Sequence, residues 1–348
     1  MSNKDSQKIQ LPLALNFAAF VIIIGGTMYA ESIINPFLMA LFVSIICAAP
    51  INWLQKKNVP QGISMALVFV SILVIFIVFG QVIGNSVSSF SEDLPQYEKK
   101  LGEVGNTALQ FFHEKGINIA TDKITDAVKP SEIMGYTAGF LDQMGGFMGN
   151  AATLFFLVLF LLMELDSISV KAKAIAKNTN VNISYLETII QSIRHYLSIK
   201  TMTSFLTGLV IWICLKLIGV NYAIVWALLA FLLNYIPNIG SILAAVPAVL
   251  FALIQLGIGG ALWTIIAFVL VNTVIGNVIE PKMMGKGLGL STFIVFASLI
   301  FWGFVLGTVG MILSVPLTMT IKIMLEQKPK TKWIAVVLGT EEDIKILD

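Results

Sequence analysis

Charge is scarce in this sequence. Asp, Glu, Lys and Arg make up 12% of its 348 residues, about half the share found in an average soluble protein. A soluble chain of this size needs a broad polar skin, because surface shrinks only slowly relative to volume as domains grow. With 57% hydrophobic residues and a mean hydropathy of +0.88, this chain cannot supply one. It belongs in a membrane. Arginine is almost missing: Arg194 stands alone among 22 basic residues. Those 22 face 20 acids, so nucleic acid is excluded as a partner, which would require a concentrated basic excess. Cys47 and Cys214 are the only cysteines and both sit in apolar runs, so neither a disulfide framework nor a metal site is expected. No cofactor motif is present either. Gly285-Lys286-Gly287-Leu288-Gly289 lacks the Gly-Lys-Ser/Thr order of a phosphate loop, which excludes a nucleotide-driven pump. No Ser/His pair or His-Glu-x-x-His interrupts the spans, which leaves an intramembrane enzyme as a minor alternative only.

What is present is a series of apolar runs close to the 20 or so residues that a bilayer core requires. The first, 11–34, follows Lys4 and Lys8 and exceeds a signal peptide's apolar core of about 7–15 residues, so it reads as an uncleaved span. Asn35-Pro36 breaks the chain, and 36–54 runs back to Lys56 and Lys57, giving a tight helical hairpin that turns near Glu31. A third span, 63–84, follows the Val59-Pro60-Gln61-Gly62 break, and a fourth covers 151–165. Between these two, residues 90–149 carry nine acids and five lysines. Tyr97, Leu101, Val104, Ala108, Phe111 and Phe112 recur there at three- and four-residue spacing, the mark of an amphipathic helix. Lys129-Pro130-Ser131 ends one element and offers Ser131 as the next cap. Residues 166–200 form a second polar insert. Within it Ser184-Tyr185-Leu186-Glu187 fits a capping box, starting a helix with Leu186, Ile189, Ile190, Ile193 and Leu197 on one stripe. Basic residues near span ends (Lys4 and Lys8, Lys56 and Lys57, the 171–200 insert, Lys322 to Lys332) place both termini in the cytoplasm and the acidic insert outside.

The informative region is 202–326. A span at 202–217 precedes a 35-residue apolar run, 222–256, broken by Asn234-Tyr235-Ile236-Pro237-Asn238-Ile239-Gly240. Another span, 261–279, precedes a second 35-residue run, 291–325, broken by Gly303, Gly307 and Gly310. The runs look like copies: Gly219 and Gly289 are 70 apart, as are Gly240 and Gly310. Gly240-Ser241-Ile242-Leu243-Ala244-Ala245-Val246-Pro247 matches Gly310-Met311-Ile312-Leu313-Ser314-Val315-Pro316 with one gap. If each broken element crosses once, the units are parallel; if each enters and turns back, the second unit is inverted. Lys282 and Lys286 fall on the cytoplasmic side only in the second case, which the positive-inside rule favours. The expected fold is therefore all-α and polytopic: about six full spans plus two broken or re-entrant elements in an inverted repeat. The division reads 1–89 (three spans), 90–149 (outer insert), 150–201 (fourth span and cytoplasmic helix), 202–326 (repeated core) and 327–348 (tail). Irregular backbone at membrane depth survives only when buried or lining a cavity, so both broken elements are expected to line a solute path.

Several of these segments carry a resemblance: Asn234-Tyr235-Ile236-Pro237-Asn238-Ile239-Gly240-Ser241, Gly276-Asn277-Val278-Ile279-Glu280-Pro281-Lys282-Met283-Met284-Gly285, Gly287-Leu288-Gly289-Leu290-Ser291-Thr292, Phe301-Trp302-Gly303 and Ser314-Val315-Pro316-Leu317. Together they resemble the autoinducer-2 exporter family of bacterial inner-membrane proteins, over nearly the whole chain. The resemblance implies export of a small polar solute, the quorum-sensing signal autoinducer-2 first, across the inner membrane by a homo-oligomer; sodium or cation/proton antiport is the alternative it also admits. Candidate path residues are Asn234, Pro237, Asn238, Gly240, Pro247, Asn277, Glu280, Pro281, Gly303, Gly307, Gly310 and Pro316. Prolines free carbonyls that something must satisfy, asparagines offer neutral hydrogen bonds to a hydroxylated ligand or to another helix, and Glu280 is either a site carboxylate or a helix-end charge. No acid lies between Glu187 and Glu280, and Glu31 is the only one in 11–89, which speaks against tight cation coupling.

Overall fold

A computed structural model describes residues 13–114, 152–164, 171, 184–284, 289–341 and 343. The expected Ser131 cap, most of the 166–183 insert, the 285–288 loop and the chain end lie outside them. Every regular element among the described residues is helical, and five helices are long and apolar enough to cross a membrane.

Helix α1 (Leu13–Tyr29) and α2 (Glu31–Lys56) meet at Ala30. The break is thus beside Glu31 and not at Asn35-Pro36, which lies inside α2. Pro36 is close enough to the helix start that only the Ser32 carbonyl loses its partner, a cost that a first turn or two tolerates. Helix α3 (Gln61–Glu114) runs 54 residues without a break at residue 90. At 1.5 Å per residue it is roughly 80 Å long, so its second half must leave the bilayer. Helix α4 (Ala152–Glu164) is short and apolar. Helix α5 (Ser184–Ile218) starts at the expected cap, yet continues straight through residue 202 to fuse connector and span. No Gly or Pro lies between 184 and 207 to interrupt it.

Two helical hairpins follow. In the first, α6 (Ala223–Leu233) turns at residues 234–239 into α7 (Gly240–Val271). Its arms are antiparallel: Phe251 packs on Tyr222 and Trp226 with ring centroids 5.6 and 5.5 Å apart. Its mouth is closed by Gln255, whose amide donates to the Gly219 carbonyl (2.9 Å) and accepts from the Asn221 N–H (2.7 Å). At Gly257, φ is +73° and α7 bends into the next span. That span passes through a π-helical stretch, Asn272–Ile279, into α8 (Glu280–Met284). The second hairpin is α9 (Thr292–Glu326), which doubles back at Gly307. The Trp302 indole donates to the Thr318 hydroxyl at 3.0 Å, a contact between residues that a straight helix would hold some 24 Å apart. Short α10 (Lys332–Leu338) follows.

The hairpins share their design. Gly219 and Gly289, at the two mouths, both have positive φ. At the tips, a Cβ on Gly240 would strike the Leu233 carbonyl, and one on Gly310 the Trp302 carbonyl. The chain reverses just before each of these glycines, through Asn238 (φ +61°) and Gly307 (φ +59°). Both conformations favour residues that tolerate the left-handed region. Residues 258–284 lead from one mouth to the other across a full span, so the hairpins enter from opposite ends. The repeat is inverted. Each mouth is braced from outside the repeat, by α3 at the first and by Asp343 at the second. Asp93 and Tyr97 of α3 take hydrogen bonds from Tyr222 (2.8 Å) and Asn221 (3.1 Å) at the first. At the second, buried Lys322 beside Gly289 pairs with Glu326 (3.3 Å) and Asp343 (2.9 Å).

Candidate functional site

The tip of the first hairpin comes down beside the mouth of the second. Between them is a cavity of about 300 Å³, lined by Pro237 and Asn238 from the tip and by Glu280 and Pro281 from α8. Leu290 and Thr292 close it from the second hairpin, Tyr196 and Lys200 from α5. Its polar centre is an ion pair. Lys200, 4% exposed, donates to Glu280 Oε1 at 2.6 Å, and the Thr203 hydroxyl donates to Oε2 at 3.1 Å. The α-helical spacing of Tyr196, Lys200 and Thr203 puts all three on one face of α5. The π-helical stretch widens the turn before Glu280 and removes the clash that Pro281 would make in a regular helix.

One group in the cavity has nothing to bond. Tyr196 is 2% exposed and its hydroxyl has no partner. A phenol buried this way forfeits roughly 1–3 kcal/mol until something meets it. Chemically the cavity offers a tightly compensated charge pair and the Asn238 side chain, framed by Met284, Val295 and Val315, with the unpartnered Tyr196 hydroxyl buried in its wall. It carries both donors and acceptors and no net charge.

Of the twelve sequence candidates, the cavity gathers four: Pro237, Asn238, Glu280 and Pro281. The others stand elsewhere. Asn234 is buried and donates to the Ser204 hydroxyl at 2.9 Å, tying hairpin to α5. Gly240 and Gly310 make the tip contacts already described, and Gly303 packs on Met311. Pro247 and Pro316 lie at matching points in the returning arms. Asn277 is exposed on the π-helical stretch. Gly307 forms a second polar contact: Glu31 Oε1 lies 2.7 Å from where its Cβ would be, and the Asn35 amide bridges Glu31 and the Leu306 carbonyl at 3.2 Å each. Each hairpin tip thus faces a carboxylate, Glu280 at one end of the molecule and Glu31 at the other. Sequence reasoning missed Tyr196, Lys200, Thr203 and Asn35. The signal for the first three was the unbroken 184–207 stretch, which buries Lys200 in a span once it is read as one helix.

Paired re-entrant hairpins of opposite entry, enclosing a small polar cavity, define a membrane transporter of the inverted-repeat kind. The profile of the AI-2E family transporters matches residues 17–330, and the chain belongs to that family. It is 40% identical to a protein of Haemophilus influenzae, over 95% of this chain and 97% of the relative. It is 36% identical to the AI-2 transport protein TqsA of Escherichia coli K12, over 94% and 96% of the two chains. YhhT of the same bacterium is 32% identical over 97% of each. It is a multi-pass membrane protein of a bacterial transporter family.

Proposed function

We propose that the chain exports a small, uncharged, hydroxylated solute, autoinducer-2 first among them, through the cavity at the first hairpin's tip. The observation that carries this reading is the Tyr196 hydroxyl, buried without a partner beside a charge pair that neutralises itself. A solute hydroxyl would satisfy the phenol, and an uncharged solute leaves the Lys200–Glu280 pair intact. The 36% identity to TqsA supports autoinducer-2 as the cargo. Basic residues near the span ends support cytoplasmic termini in the inner membrane, with the cavity then opening toward the cytoplasm, where an exporter loads. A homo-oligomer fits the resemblance of the sequence to its family. Everted vesicles containing the full chain test the proposal: labelled autoinducer-2 accumulates inside them well above empty vesicles. Equal uptake in both refutes it. Repeating the assay with an imposed pH or sodium gradient separates export from cation/proton antiport; the account expects uptake without a sodium requirement.

A further inference from the structure

A second cavity, of about 830 Å³, lies on another side of α5 and takes no part in the solute site. Pro50 and Trp53 of α2, Ser71 of α3, Ser198 and Thr201 of α5 and Phe231 of the first hairpin line it, and most of its remaining wall is aliphatic. It is a groove between helices, open on its flank, with hydroxyls inside it and cations at one end. Lys57 lies over the Trp53 ring, 4.0 Å from its centre, and Lys56 adjoins it; both are exposed. Arg194 stands one turn before Ser198, exposed, and the series 194, 198, 201, 205 keeps one helical face, so Arg194 falls on the groove-lining face of α5, one turn beyond the last lining residue.

The ends coincide for a structural reason. The start of α2 touches the tip of the second hairpin through Glu31 and Asn35, so the α2 end at Lys56 lies toward that hairpin's mouth. Lys200, midway along α5, pairs with Glu280 at that mouth too. The α2 terminus and the half of α5 that precedes Lys200 therefore lie toward the same end of the molecule. The chain's single arginine is placed there, and its planar fork is the side chain best matched to a phosphate.

We infer that this groove holds an anionic phospholipid, its phosphate on Arg194 and Lys57 and one acyl chain along the apolar wall. Basic pockets between transmembrane helices at one membrane face bind such headgroups. The cations select charge, the concave apolar wall selects a chain, and an ordinary lipid-facing surface has neither together. The site also reaches the transport machinery. Phe231 belongs to the first hairpin, and the Thr201 hydroxyl accepts from Tyr235 at the turn of that hairpin's tip, at 2.9 Å. Lipid in the groove braces α5 against the hairpin from the side opposite the solute cavity.

The test uses the full chain in nanodiscs of mixed phosphatidylcholine and phosphatidylglycerol, with retained lipid counted by native mass spectrometry. Wild type retains phosphatidylglycerol preferentially. Removing the cations with Arg194→Gln and Lys57→Gln lowers that preference roughly fivefold per charge, and Arg194→Lys restores part of it. Filling the groove with Ser71→Phe, cations intact, abolishes retention as well. Equal retention of the two lipids by wild type overturns the inference, as does a preference that survives Ser71→Phe. A variant whose assembly falls apart while its lipid preference stays unchanged overturns it too, because the groove then seats a second copy of the chain.

Discussion

Lys200 and Glu280 form a buried pair on which stability and the proposed transport can be separated. Removing one partner leaves an isolated charge, which costs roughly 3–5 kcal/mol, whereas replacing both with apolar groups is often tolerated. Lys200→Met and Glu280→Gln are therefore each expected to lower the thermal midpoint in detergent. The double variant Lys200→Met/Glu280→Met regains stability but not transport. A double variant as unstable as the singles would contradict this view of the pair. Tyr196→Phe is the complementary case. It removes an unpartnered hydroxyl, so stability holds or rises slightly, while transport of a hydroxylated solute falls about tenfold for the loss of about 1.4 kcal/mol of hydrogen bonding. Glu280 was legible from sequence because an acid follows a long acid-free stretch. Lys200 was not, because five basic residues spread over 166–200 look like a solvated insert until the helix that carries the last of them is recognised as continuous.

Among the elements, the hairpins were the most legible. Runs of 35 apolar residues are too long for one helix and too short for two full spans, and their central breaks sit at the observed turns. Parity left open whether they cross or return, and only the positions of Lys282 and Lys286 favoured return. Contacts settle it: Gln255 with Gly219 at one hairpin, Trp302 with Thr318 at the other. The first turn was placed near Glu31, where it is found, but the break expected at Asn35-Pro36 is absent because a young helix accommodates the proline. Opposite entry makes a direct prediction. In a cysteine-free background, single cysteines at Asn238 and Thr308, both exposed positions near the tips, are labelled by an impermeant thiol reagent from opposite membrane faces. Labelling of both from one face would rule out inversion. Tip packing makes another. Gly310→Ala and Gly240→Ala each place a methyl group against a carbonyl of the preceding arm, so both are expected to abolish folded protein, whereas Gly62→Ala, which meets nothing within 4 Å, leaves it unchanged.

In the molecule as a whole, the scarce charge is not spread evenly. Part of it gathers at the hairpins: Glu280 with Lys200 by the first tip, Glu31 by the second, Asp93 at one mouth and Lys322 with Asp343 at the other. The hairpins are thus held at both ends by polar contacts, while apolar packing joins their arms. The first tip meets the second mouth across the cavity, while the second tip meets the start of α2 through Glu31 and Asn35. The proposed function seats the solute beside Asn238. With the Asn238→Cys protein in everted vesicles, saturating autoinducer-2 is expected to slow thiol labelling at that position severalfold, and not labelling of a cysteine at Thr308. Unchanged labelling at Asn238→Cys while autoinducer-2 is being transported would contradict the central claim, because the solute would then be crossing elsewhere.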